Sequence, residues 1–129
     1  MRLAVVETAA TITWFAMDAC WMLDSRLLAL TLAVPTVLLS LLVFRFVKRT
    51  PPSWLVTAAM TSWACMNVLW MSHDFELIGW GLLAGKAFLA LGFGLVAAAL
   101  VVGRSEAWVL LTTRFRRLRL RGWIRPSRT

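Results

Sequence analysis

Four long apolar runs leave this chain few ways to fold. They extend from Leu3 to about Leu23, from Leu27 to about Phe44, from Trp54 to about Met71 and from Leu77 to about Val102. A helix of about 20 residues crosses a hydrocarbon layer about 30 Å thick, and each run is close to that length. The runs are continuous rather than alternating, so helices are expected to satisfy their backbone polar groups, not a barrel. Composition agrees. Of 129 residues, 60% are hydrophobic and only 16% charged, whereas an ordinary soluble domain carries about 25% charged residues. So few polar residues could not cover the large surface of a small soluble domain, and so apolar a chain is not disordered. The first run contains Glu7 and Asp18, has almost no positive charge beside it and is followed at once by a second run. It reads as a retained helix and not as a secretory signal.

The links are short. Asp24-Ser25-Arg26 joins the first pair of runs and Ser72-His73-Asp74-Phe75-Glu76 the second, which makes neighbouring helices antiparallel. The middle link, Arg45 to Ser53, holds Arg45, Lys48, Arg49 and the breakers Pro51 and Pro52. Lys and Arg near span ends orient a membrane protein. Arg2, the middle link and the arginine-rich segment from Arg104 share one side, against Arg26 alone on the other. Both termini are therefore expected in the cytoplasm of a multi-pass plasma (inner) membrane protein.

Self-comparison adds an internal repeat. At an offset of 49, residues 8–22 align with 57–71, with seven identities in fifteen positions, among them Trp14/Trp63, Met17/Met66 and Trp21/Trp70. Asp18 aligns with the near-isosteric Asn67. The second and fourth runs match weakly, at Leu28/Leu77, Leu42/Leu91, Phe44/Phe93 and Val47/Val96. The first and third spans cross in the same direction, so the repeat is parallel, about an axis along the membrane normal. Residues 10, 14, 17, 18 and 21 share one helical face, as do 59, 63, 66, 67 and 70. This face is either a packing seam between duplicated hairpins or a shared site, with Asp18 and Asn67 between walls formed by Trp14, Trp21, Trp63 and Trp70.

Charges inside a bilayer are costly and usually line a site or a path. Asp18 and Lys86 are both placed below the outer surface, and an Asp18–Lys86 pair is compatible with their depths. Glu7 shares the broad face of Asp18, so a polar path Glu7–Thr11–Asp18 is the alternative to a Glu7 that reaches the interface. Gly81, Gly85 and Gly92 form a small-residue face for close helix packing, within the chain or across a dimer. Pro35 is expected to bend the second helix.

Much chemistry is absent. With one histidine, His73, a bis-His haem or His-rich zinc site within the chain is excluded. No P-loop, dinucleotide fingerprint, nucleophile elbow or HExxH is present. Cys20 and Cys65 read as packing residues. Neither a cofactor, a metal nor an enzymatic activity is expected.

After the last run, residues 105–124 combine an apolar stripe, Trp108, Leu111, Phe115 and Leu118, with Arg114, Arg116, Arg117, Arg119 and Arg121. Ser105 is the expected cap and Glu106 lies in the first turn. The pattern suits an amphipathic helix lying on anionic lipid, and nucleic acid is not expected as a partner.

The expected fold is an all-α integral membrane protein. Four transmembrane helices form two tandem helical hairpins, residues about 3–47 and about 54–102, within a transmembrane domain 1–103. A basic cytoplasmic amphipathic tail, 104–129, follows. The expected function is a small oligomeric transporter or channel subunit with a polar intramembrane site. The alternative is a non-catalytic accessory or scaffold subunit of a larger membrane complex. A topology reporter fused after Thr129 should read as cytoplasmic in intact cells, and an external signal would reverse the orientation.

Overall fold

The structure, a computed structural model, describes the backbone of residues 2–120 and the side chains of residues 3–112. The tail residues Arg114, Phe115, Arg116, Arg117, Leu118, Arg119 and Arg121 lie outside the described side chains. Five helices make up the described chain: α1 (Arg2–Met22), α2 (Arg26–Val43), α3 (Pro51–Asp74), α4 (Gly81–Val102) and α5 (Arg104–Leu120). Among the described residues there is no strand. Three helices are long and apolar enough to cross a membrane: α1 over Leu3–Met22, α2 and α4. That is the character of a membrane protein.

The third apolar run differs from expectation. Helix α3 is the longest, at 24 residues, but Thr57, Thr61, Ser62, Asn67 and Ser72 dilute its apolar character and it falls outside that group of three. It also starts earlier than Trp54. Thr50 is its extended N-cap, and Pro51 and Pro52 occupy its first turn. Proline is tolerated there because those N–H groups have no partner within the helix. Helix α4 starts at Gly81 and not at Leu77, because residues 75–80 form the turn. Helix α2 continues through Pro35.

Helices α1 and α3 end in the same way. The N–H of Ser25 donates to the Cys20 carbonyl and that of Asp24 to Trp21; Leu77 donates to Ser72 and Glu76 to His73. These are paired Schellman bonds around a left-handed residue. Here that residue is an acid, Asp24 at φ 55° and Glu76 at φ 58°, where glycine would be unstrained. The caps are 52 residues apart in sequence, not 49, because α3 continues one turn beyond the segment that matches α1. From this point the register between the two hairpins drifts, in keeping with the weak match of the second and fourth runs.

Packing is uneven. Helix α1 lies against α2 and α3 against α4, and α2 joins the two hairpins by packing on α3. Helix α1 meets α3 sparsely, and α4 touches neither α1 nor α2. The four helices therefore form an open row with α1 and α4 at its edges, not a closed bundle. At the end of the hairpin turns, Met17, Ala29, Ala33, Met71 and Phe75 are buried together under Trp14, Trp21 and Leu30. The Arg26 guanidinium lies 5.9 Å from the Phe75 ring centre and links the two turns. At the tail end, Val56, Ala99 and Ala107 are buried with Leu110 and Leu111 against them.

Gly81, Gly85 and Gly92 all face α3 within the chain. A Cβ on Gly81 would come within 2.6 Å of the Leu69 carbonyl oxygen, one on Gly85 would overlap the Trp70 indole, and one on Gly92 would lie 3.7 Å from the Ala59 carbonyl oxygen. The Trp70 ring thus fills the space left by the missing side chain of Gly85. Gly85→Ala should destabilise the fold by about 1–3 kcal/mol through overpacking, measured as detergent-solubilised thermal unfolding. In a Trp70→Ala background the same change should cost much less, and an equal cost in both backgrounds would mean that the two residues do not interlock.

Candidate functional site

The polar residues of α3 reach a different neighbour at each level. The Thr61 hydroxyl donates to the Ser40 carbonyl of α2 at 3.4 Å and to its own Thr57 carbonyl at 3.0 Å. The Ser62 hydroxyl donates to the Phe88 carbonyl of α4 at 2.8 Å. The Asn67 amide nitrogen lies 3.5 and 3.4 Å from the two carboxylate oxygens of Asp18 on α1. Apart from this long contact, α1 and α3 barely meet. An amide at such distances neutralises a carboxylate only weakly, because charge-assisted hydrogen bonds are normally below 3 Å.

The sequence match therefore points to residues that meet. Asn67 is buried and Asp18 half-buried. The Met17 side chain, also on that face, is fully buried, and Trp14 and Trp21 pack beside it. Trp70 is turned to Gly85, whereas Trp63 is 39% exposed and forms no wall of the core. The indole N–H groups of Trp14 and Trp70 are buried without an acceptor. Such an unmet donor ordinarily costs about 1–3 kcal/mol.

Lys86 does not pair with Asp18 inside the chain. It lies exposed on α4, and α4 makes no contact with α1. Depth along the helix allowed the pair, but the open row puts the two groups at opposite edges. Cys20 and Cys65 are free thiols. The His73 ring nitrogen Nδ1 lies 3.4 Å from the Ile78 carbonyl oxygen.

A second polar locus lies at the tail end. A cavity of about 660 Å³, open to the surface, is lined by Glu7, Lys48, Thr50, Ser53, Thr57 and Glu106, among others. One carboxylate oxygen of Glu106 accepts bonds from the hydroxyls of Thr50 at 2.7 Å and Ser53 at 3.2 Å. A glutamate at the start of α5 thereby holds the start of α3. The sequence offered a signal for this seam, since Ser53, Thr57 and Thr61 recur every four residues, but nothing in it tied them to Glu106.

The stripe on the tail helix is divided. Trp108 is 63% exposed, while Leu111 packs against the cluster of Val56, Ala99 and Ala107. Ala107, beside the stripe, is the fully buried residue. Helix α5 starts directly after Gly103, so Ser105 lies within its first turn and is not the cap. Gly103 is pressed against the Pro52 ring, which leaves no room there for a Cβ. The first part of α5 is thus docked on the helices before it runs out of the described side chains. No protein family, curated protein or solved structure matched the chain.

Glu106→Ala removes the acceptor shared by Thr50 and Ser53. Its loss should lower stability by about 1.5–3 kcal/mol, the range for bonds to a charged group, and speed proteolytic cleavage between Arg104 and Arg117. An unchanged cleavage rate would show that Ala107 and Leu111 alone hold α5.

Proposed function

We propose that the chain is a small transporter or channel subunit, working as an oligomer, with Asp18 and Asn67 as an intramembrane site for a proton or small cation. In this reading α3 is a fourth span, and the two hairpins are a parallel duplication. The termini and α5 lie on the cytoplasmic side of a plasma membrane, with the basic tail on anionic lipid. Two features support α3 as a span: it is the most enclosed of the helices, and its hydroxyls donate to helix backbone carbonyls, as the bilayer demands.

The observation that carries the proposal is the half-buried Asp18 carboxylate, whose one polar side-chain contact among the described residues is the long one to Asn67. A carboxylate in a membrane helix needs a proton, water or a cation, and none of the described residues of its own chain pairs it with a positive charge. Apart from this pair, the hydroxyls of Ser53, Thr57 and Thr61 form a line of oxygens at the tail-end part of α3, of which Ser53 and Thr57 border the cavity. Thr57 and Thr61 use their protons on backbone carbonyls, so their oxygens remain as acceptors. Such a line favours a cation or proton over an anion.

The second reading is a scaffold subunit. It is favoured by the open row, which leaves large apolar side chains exposed on both edge helices, such as Met22 at 86% and Val101 at 87%. Flux separates the two. Full-length protein in liposomes with a pH-sensitive dye or a sodium or potassium indicator inside should show cation flux. Asp18→Asn should reduce it at least tenfold, and Asn67→Leu several-fold. Wild-type liposomes without flux of protons, sodium or potassium would overturn the transport reading in favour of a scaffold, and full flux by Asp18→Asn would overturn the site.

A further inference from the structure

Asp18 and Lys86 lie at one depth on opposite edges of the row. Helices α3 and α4 are antiparallel, and their register is fixed at two places. Gly81 abuts Leu69 and His73, and Gly92 abuts Ala59 and Ser62. Between these points Lys86 falls level with the turn from Ala64 to Val68, which contains Asn67. Asn67 in turn meets Asp18. Counting from the helix ends agrees. Asp18 is four residues before the end of α1 at Met22 and Lys86 five residues after the start of α4 at Gly81. At 1.5 Å per residue these are depths of about 6 and 7.5 Å.

Lys86 faces outward, and Asp18 sits on the rim of α1, half-buried against Asn67 with Trp14 and Trp21 packed inward on one side of it. Around Asp18, the neighbouring α1 residues Phe15, Ala19 and Met22 are exposed. Around Lys86, the outer face of α4 continues as Ala90, Gly94 and Ala97, all exposed, and a Cβ on Gly94 would meet nothing within 4 Å. That small-residue face allows another helix to come close. Neither Asp18 nor Lys86 has an ion-pair partner among the described residues, although a lone charge in hydrocarbon is costly.

We infer that copies of this chain assemble side by side, with Asp18 on α1 of one protomer paired to Lys86 of the partner subunit. The contact joins two different surfaces, so it is heterologous, and it repeats from copy to copy, closing a ring where the rotation between copies allows. This inference rests on the oligomeric transport reading and deepens it. The ammonium contributed by the neighbour becomes the resident counter-ion of the Asp18–Asn67 site, to be displaced by an incoming cation or proton. The site is incomplete in a single copy.

Charge exchange in trans tests the pairing. Asp18→Lys places like charges at every contact between identical copies, and so does Lys86→Asp. Each variant alone should therefore lose at least tenfold of the oligomer seen by native mass spectrometry of full-length protein in nanodiscs. Coexpressed with different tags, the two should assemble together, because every mixed contact again joins opposite charges; a pair within one chain could not be rescued this way. The milder variants Asp18→Asn and Lys86→Met, checked as helical by circular dichroism, should each weaken assembly and keep the inference testable if a reversed charge prevents folding. Single variants as oligomeric as wild type would overturn the pairing and show Lys86 reaching the interface alone, with the oligomer itself intact. A wild-type protein that is monomeric in nanodiscs would overturn the oligomeric reading as well. Loss of flux without loss of assembly in Lys86→Met would likewise count against an interface role.

Discussion

Helix α3 is held by polar side chains that would be out of place on a lipid-facing helix. Thr61 bonds α2, Ser62 bonds α4, Asn67 meets Asp18 on α1, and Ser53 with Thr50 binds Glu106 of α5. Each other helix is thus positioned relative to α3 by at least one directional contact. In a bilayer there is little hydrophobic force to press helices together, since lipid tails are as apolar as leucine. Directional bonds and close packing must therefore set the arrangement. Individual interhelical bonds average only about 0.6 kcal/mol, so their contribution is more to register than to strength.

Close packing does the rest, and it is concentrated in one hairpin. The glycines of α4 let its backbone reach α3, where Trp70 and the Leu69 carbonyl occupy the space of missing side chains. The first hairpin has no glycine and packs through Met17, Ala29 and Ala33 instead. Two hairpins that share a sequence face thus hold together by different means. Their interface is mainly α2 on α3, which leaves α1 and α4 as open edges. That asymmetry is what separates Asp18 from Lys86 within one chain.

The elements themselves were legible in the sequence because their cause is local. Long apolar runs, short polar links and a basic tail specify helices and their antiparallel order wherever the chain sits. The offset of 49 singled out Asp18 and Asn67, and the two do meet, since parallel helices of similar register bring matched positions to similar depth. Boundaries were less legible. Proline reads as a breaker by composition, yet Pro51 and Pro52 start α3, because the first turn of a helix has no N–H bonds to lose. Leu77 continues an apolar run but lies in a turn, since the left-handed Glu76 cap had already ended α3.

The sequence by itself determined the helices, their order and the glycine face of α4. A helix closes its own backbone bonds, so an apolar run specifies it without a neighbour, whereas the depth of Lys86 moved from about 15 Å to about 7.5 Å once the turn before Gly81 was fixed. Only the tertiary structure decided direction around each axis: that Lys86 points away from the row, that Trp63 is exposed while Trp14 is enclosed, that Glu106 reaches back to Thr50, and that α1 and α4 never touch. Those choices follow from how one helix seats on the next, and a few well-placed small residues and hydroxyls on α3 settle that seating. A helical pattern read in isolation fixes which residues share a face, but not what that face will meet.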